Sequence, residues 1–437
     1  MRSLVIAAPS SGNGKTTFAL GVLRALKKRG MDICGFKAGP DYIDRAFLEK
    51  ASGLPAGNLD IHLQSEKGLQ YSLSQAPAKN CIIEGVMGYF DGIRNTSQNS
   101  THHLTRLLGL KAVLVYTPKG EAFTAIPKIK GLVDFGNSSI AGIVFNRVSY
   151  DFYVLLKDAV EKHMAVKVLG YMPKLPEIAL KSRHLGLIQS IEIENLERII
   201  ETAANAIERH VEMQALIDLM TETKMAEISP FEHTLPTAKP VVAVAKDEAF
   251  SFHYRENIAL LEKYAHVKTF SPMHDSHLPA CDLLYLVGGY PEIHYKALAE
   301  NRGMLKSIRE YGEDEGYIFA ECGGLMYLSE SIENRPMVGL FRGSSRLTDR
   351  LQRFGYVNVV LNGDCFLGEK GDELTAHEFH KSLSDIRAPK LFDIIKTGGT
   401  KRWQCGYRYK NAIAGYPHFN FVGNMKMFRS MLKSVVE

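Results

Sequence analysis

No stretch of this sequence stays apolar for the ~18–20 residues that a helix needs to cross a bilayer, so no membrane association is expected. Cysteine is sparse, with six in 437 residues. Cys34, Cys81, Cys281, Cys322, Cys365 and Cys405 lie far apart and include no C-x-x-C pair. That spacing argues against a zinc site and against a disulfide framework. Free thiols in a large chain point to a reducing compartment, the cytoplasm. Charge of one sign is also lacking, with 53 basic against 48 acidic side chains and a net charge of +5. Without a basic tail or stripe, nucleic acid is not an expected partner, whereas a mild positive excess suits anionic small molecules. Short-period repeats and low-complexity segments are absent as well. The apolar start, Met1–Ala8, is too short for a signal peptide and runs into a phosphate-loop pattern, so it reads as a buried first strand.

What is present is an ordinary globular composition, 45% apolar and 23% charged, long enough for two or three domains. Short β-branched runs alternate with helical patterns over the first ~190 residues, which predicts a doubly wound parallel sheet. The expected strands are Ser3–Ala8, Asp32–Phe36, Cys81–Glu84, Ala112–Tyr116 and Ile140–Phe145, with a helix over Lys15–Arg29 stopped by Gly30. A polar, helix-rich stretch follows, and then a segment around 228–240 with three prolines that reads as a linker. Alternation then restarts with Val241–Ala245, a helix near Glu256–Tyr264, Leu283–Val287 and Tyr317–Ala320. The expectation is therefore α/β, with two doubly wound parallel-sheet domains over 1–190 and 241–437 joined by 191–240.

Between the first strand and first helix stands Pro9-Ser10-Ser11-Gly12-Asn13-Gly14-Lys15-Thr16-Thr17. Backbone N–H groups of such a turn point at phosphate oxygens. Lys15 adds charge, and the Thr16 hydroxyl can ligate magnesium. Pro9 replaces the usual first glycine, so the pattern is incomplete, and a glycine-rich turn without nucleotide is the competing reading. Further oxygen ligands are offered by Phe36–Asp44, which contains Asp41, and by Cys81–Gly92, which contains Glu84 and Asp91. Both segments follow strands whose carboxyl ends should line the ligand-binding edge of the sheet.

In the second half, the apolar run Tyr317–Ala320 leads through Glu321 to Cys322-Gly323-Gly324 and an apolar helix. A thiol on such a tight turn stands clear of the sheet, beside a helix N-terminus that favours thiolate. Gly323 N–H, with Gly289 N–H from the Val287–Glu292 loop, would form an oxyanion site. A thiolate attacking an amide needs a base, and His418 is the candidate; a structural histidine is the alternative reading.

Taken with Asn58-Leu59-Asp60, Asn146-Arg147-Val148, Ser182–Leu187, Ala245–Phe250, Gly288–Glu292, Ala320–Leu328, Thr348–Tyr356, His377–His380 and Gly406–Lys410, these motifs resemble the cobyrinate a,c-diamide synthases along essentially the whole chain. The resemblance implies an N-terminal P-loop ATPase of dethiobiotin-synthetase type fused to a C-terminal class I glutamine amidotransferase. It implies Cys322 as glutaminase nucleophile and His418 as its base. It gives Gly12, Asn13, Gly14, Lys15, Thr16 and Thr17 to the nucleotide, and Asn146 to adenine. Thr16, Asp41 and Glu84 fall to Mg2+, and Asp41, Glu84 and Asp91 to magnesium or the reacting carboxylate. ATP, glutamine and a polycarboxylate tetrapyrrole-derived macrocycle would be the small-molecule substrates: ATP would convert an acetate carboxylate to an acyl phosphate, and ammonia from glutamine would displace the phosphate. Cobyrinate, its cobalt-free hydrogenobyrinate counterpart and nickel-sirohydrochlorin stay open as acceptors. Arg183, His184, Arg350, Arg353 and Tyr356 are candidates to hold their carboxylates. The chain departs from the family at Asn420, where a histidine is common and many class I enzymes carry a glutamate, and at Ala376, where glycine is usual. Asn420 is expected to orient His418 through its amide oxygen. A homodimer is compatible with the sequence. A nucleotide-switch ATPase with an inert second domain is the reading of another class.

Overall fold

The computed structural model describes residues 1–178, 195–223 and 238–437. They fall into two compact units, one comprising Met1–Ile61 with Leu69–Ile228 and the other His62–Gly68 with Ser229–Glu437. Most of the proline-bearing segment around 228–240 lies outside the described residues, as do Ser182–Leu187 with Arg183 and His184.

In the first unit the strands are β1 (Arg2–Ala7), β2 (Ile33–Ala38), β3 (Gly57–Leu59), β4 (Asn80–Glu84), β5 (Ala112–Tyr116), β6 (Ile140–Asn146) and β7 (Lys167–Met172), with the short β8 (Thr221–Glu222). They run in the order β3-β2-β4-β1-β5-β6-β7, all parallel, and β8 lies antiparallel on β1. Alternate residues of β1 serve two cores. Leu4 and Ile6 pack with Phe18, Val22 and Leu26 of the Lys15–Lys28 helix and Ile200 and Ile207 of the Leu196–His210 helix. Val5 and Ala7 pack with Leu104, Ile126 and Ile129 on the other face. A sheet covered on both faces needs strands that are apolar throughout, which is why these were readable as runs.

The register sets the site. Ile6 pairs with Glu84 and Glu84 with Lys37, so three strands end level with one another at the carboxyl edge, where β1 passes into the phosphate loop.

The second unit holds β9 (Val241–Ala245), β10 (His266–Phe270), β11 (Leu283–Leu286), β12 (Tyr317–Glu321), β13 (Ser329–Ile332), β14 (Arg335–Pro336), β15 (Phe341–Leu347), β16 (Arg353–Leu361), β17 (Glu373–His380), β18 (Ser382–Ser384), β19 (Lys390–Lys396), β20 (Arg402–Tyr409), β21 (Ala412–Gly415) and β22 (His418–Phe419). The main sheet has the order β10-β9-β11-β12-β21-β20-β19-β16-β17-β22. From β10 to β21 it is parallel. From β21 onward each strand runs antiparallel to its neighbour. This extension exceeds the expected parallel core. Along β16 buried residues alternate with part-buried ones, and such half-covered strands lack the continuous apolar run that marks a parallel strand. A small sheet, β14-β13-β15-β18, completes the unit. Among the described residues no helix is long and apolar enough to cross a membrane.

Candidate functional site

The loop between β1 and the Lys15–Lys28 helix takes the left-handed region at Gly12 (φ 80°) and Gly14 (φ 88°), which residues with a Cβ rarely occupy. Asn13, 3% exposed, ties this loop to the strand ends. Its Oδ1 accepts from Thr117 N–H (3.0 Å), and its carbonyl accepts from Thr117 Oγ1 (3.0 Å) and Asn146 Nδ2 (2.9 Å). Asn146 Nδ2 also donates to Thr117 Oγ1 at 3.3 Å. The amide nitrogen of Asn146, expected at adenine, thus braces the loop. Lys15 is buried and its ammonium donates to the Met87 carbonyl. Burial, then Lys37, lower its pKa to about 8, against the pull of Glu84, Asp44 and Asp91.

Thr16 Oγ1 donates to Glu84 Oε1 (2.5 Å). Glu84 is fully buried, and its Oε2 has no hydrogen-bond partner among the described residues. Burial raises its pKa, and Lys37 works against that rise. Lys37 Nζ lies 3.0 Å from both Glu84 Oε1 and Asp44 Oδ2. Burial disfavours the Lys37 ammonium, but Asp44 and Glu84 outweigh it and hold the charge. Asp41, expected beside Glu84 as a magnesium ligand, stands at the start of the Tyr42–Ser52 helix, where its Oδ1 accepts from Asp44 N–H (3.0 Å), and its charge acts on Lys37, the partner of Glu84. Asp91 Oδ2 accepts from Gly88 N–H (3.0 Å) and so fixes the turn that follows β4.

In the second unit β12 ends at Glu321, and Cys322 takes φ 47°, ψ −101° before the Gly323–Leu328 helix. Cys322 N–H donates to Gly415 O (2.6 Å), which joins the turn to the end of β21, three residues before His418. The β11 turn closes on both. A methyl on Gly288 would sit 2.3 Å from His418 Cε1, and one on Gly323 would sit 3.1 Å from Gly289 N. Thiol turn, histidine and two glycine N–H groups therefore converge. Of the expected thiolate-favouring surroundings, the Gly323 N–H at the helix start is in place and works to lower the thiol pKa, but other effects outweigh it. Cys322 is 5% exposed, and burial, followed by the charge of Glu292, pushes its thiol well up. Burial and His380 lower the His418 pKa to about 3.

Asn420, expected to orient His418 through its amide oxygen, has that oxygen accepting from Val422 N–H (3.1 Å). A carboxyl faces the imidazole: Glu321 Oε2 lies 3.9 Å from His418 Nδ1. Of the acceptor candidates, the Arg353 guanidinium stacks 4.8 Å from the Trp403 ring centre, Tyr356 lies 5.8 Å from His377, and Arg350 is exposed.

Two family models match the chain. Residues 4–188 fit the CobQ/CobB/MinD/ParA nucleotide binding domain, and residues 241–425 fit the CobB/CobQ-like glutamine amidotransferase domain. Relatives match from end to end. Cobyrinate a,c-diamide synthase of Clostridium tetani is 44% identical over 441 residues, covering 99% of this chain and 100% of the relative. The namesake from Clostridium acetobutylicum is 43% identical over 442 residues with the same coverage, and that from Limosilactobacillus reuteri is 36% identical over 452 residues, covering 100% of this chain and 99% of the relative. The chain belongs to the cobyrinate a,c-diamide synthase family.

Within this member of the family, motif reading passed over Lys37, Asp44, Thr117 and Glu321 as site residues. Each had a signal. Lys37 is a charge inside the otherwise apolar β2, in register with Glu84, and Glu321 is a charge at the end of the apolar β12. A lone charge closing an apolar strand is costly unless it is paired.

Proposed function

We propose that this protein is an ATP-dependent, glutamine-hydrolysing amide synthase that converts the a and c acetate side chains of cobyrinate to carboxamides. The observation that carries the reading is the pairing of two chemistries in one chain: a strand-borne loop that gathers Lys15, Thr16 and Glu84, and a thiol turn that gathers Cys322, Gly289 and His418. A carboxylate resists ammonia because it is anionic and lacks a leaving group, and transfer of the ATP γ-phosphoryl removes both obstacles.

In the first unit the loop N–H groups and Lys15 bind the triphosphate. The orphaned buried oxygen of Glu84 beside the Thr16 hydroxyl suits a hard cation, so these two residues would hold magnesium. Among the described residues no three His, Cys, Asp or Glu side chains form a metal cage, so the rest of an oxygen shell falls to phosphate and water. When bound, magnesium neutralises charge along the phosphates. Lys37, anchored by Asp44, stands beside Glu84 to balance the charge that accumulates on the transferring group.

In the second unit Cys322 passes its proton to His418 as sulfur attacks the glutamine side-chain amide. The Gly289 and Gly323 N–H groups hold the resulting oxyanion. Collapse gives a thioester and ammonia, with His418 returning the proton to the leaving nitrogen. Water then releases glutamate. Arg353 and Tyr356 supply charge and ring surface suited to a polycarboxylate macrocycle.

Mass spectrometry after incubation with ATP, magnesium and glutamine tests the acceptor. Cobyrinate should gain two amides, with nickel-sirohydrochlorin and hydrogenobyrinate as the competing acceptors. Amidation of either competitor in preference to cobyrinate would overturn the assignment.

A further inference from the structure

Glu321 is a buried carboxyl that the chemistry above leaves unused. It closes β12 one peptide before Cys322 and is 2% exposed. Phe419 N–H donates to its Oε1 (2.9 Å) and Tyr285 Oη to its Oε2 (3.0 Å). The carboxyl is thus clamped between β11 and β22. Phe419 is the chain neighbour of His418, so the bond that fixes the carboxyl also fixes the backbone that presents the imidazole. Oε2 lies 3.9 Å from His418 Nδ1, about 1 Å beyond hydrogen-bond distance. The other nearby amide, Asn420, has its oxygen on Val422 N–H.

We propose that Glu321 is the positioning residue of the glutaminase site, holding the Nδ1 side of His418 and carrying the charge that balances its imidazolium. The proposal rests on the Cys322–His418 reading given above. With the carboxylate facing Nδ1, the Nδ1–H tautomer is favoured and the Nε2 lone pair is left for the thiol. The thiol proton then moves from Sγ to Nε2 as the S–C bond to the amide carbon forms, and no proton or bond ends on Glu321. The imidazolium so created is buried, where an uncompensated charge is costly. A carboxylate at this place does for His418 what a glutamate two residues after the histidine does in enzymes that carry one there.

The setting gives the proposal a pH signature. Burial raises the Glu321 pKa to about 8, so its ionised form grows from pH 7 to 9. Tyr285 faces Glu321, and Asn257 and Tyr254 in turn face Tyr285. His380 and His377 face His418, and Glu292 and Glu378 face Cys322. All of these side chains remain in a Glu321→Gln variant, so the ratio of parent to variant activity reports the carboxylate, including its charge on Tyr285 and Cys322.

The experiment compares Glu321→Gln and Glu321→Asp with the parent for glutaminase kcat and KM across pH 7–9 and for ammonium-dependent amidation, with Cys322→Ala as control. Expected are a glutaminase kcat lowered about 10- to 100-fold in Glu321→Gln, little change in KM for glutamine, unchanged ammonium-dependent amidation, a parent-to-variant ratio that grows with pH, and higher activity in Glu321→Asp than in Glu321→Gln. A merely structural acceptor predicts the reverse: the isosteric amide keeps kcat, the shorter acid loses it, and the ratio is flat with pH. That result overturns the proposal while leaving the nucleophile reading intact. Glutamine use surviving in Cys322→Ala would overturn the reading beneath it.

Discussion

Burial and the neighbouring Lys37 hold the pKa of Lys15 below the ordinary lysine range, against the pull of Glu84, Asp44 and Asp91. Its pKa of about 8 in the absence of phosphate means that between pH 8 and the ordinary lysine range the folded protein holds fewer protons than a free lysine would. Phosphate oxygens favour the ammonium, so nucleotide binding should take up protons at pH 8–9. Calorimetry in buffers of different ionisation enthalpy should show that uptake, and Lys15→Ala should remove it together with amidation from either nitrogen donor. Binding without proton exchange in the parent would contradict the assignment. Lys15 and Thr16 were readable because a loop motif places them in fixed sequence order. Lys37 and Asp44 were not, because their meaning comes from strand register and from a 3.0 Å ion pair that spacing along the chain does not encode. Asp41 was readable as an acid in the Phe36–Asp44 segment, but its hydrogen bond to Asp44 N–H was not, because it depends on where the helix starts.

The element that organises the second unit's site is the turn between β11 and the Pro291–Glu300 helix. A methyl on Gly289 would lie 1.9 Å from the Ala249 carbonyl oxygen, backbone against backbone, with no flexible side chain to give way. Gly289→Ala should therefore destabilise this unit by about 1–3 kcal/mol and displace the N–H that faces Gly323. Thermal unfolding and glutaminase assays should both register the change, while ammonium-dependent amidation persists. Wild-type glutaminase activity in that variant would remove Gly289 from the oxyanion site. At this scale the parallel strands of both units could be read from apolar runs. The antiparallel extension from β20 to β22 could not, because strands covered on one side dilute that run with polar residues. His418 sits on that extension, on a two-residue strand paired with β17, and its backbone comes near the Cys322 turn because β21 is laid beside β12.

For the whole molecule, two α/β units in one chain carry two half-reactions, each with its own motif, and the family models divide along the same lines. In the proposed function, activation of an acid on the first unit is independent of where nitrogen comes from, whereas release of nitrogen from glutamine depends on the Cys322 sulfur. The account is tested most directly by following nitrogen from amide-labelled glutamine, and from ammonium, into the amidated macrocycle with the parent protein and with Cys322→Ala. The parent should transfer the label from glutamine. Cys322→Ala should transfer none from glutamine while still building the amide from high ammonium and ATP. Label arriving from glutamine in the absence of that thiol would contradict it.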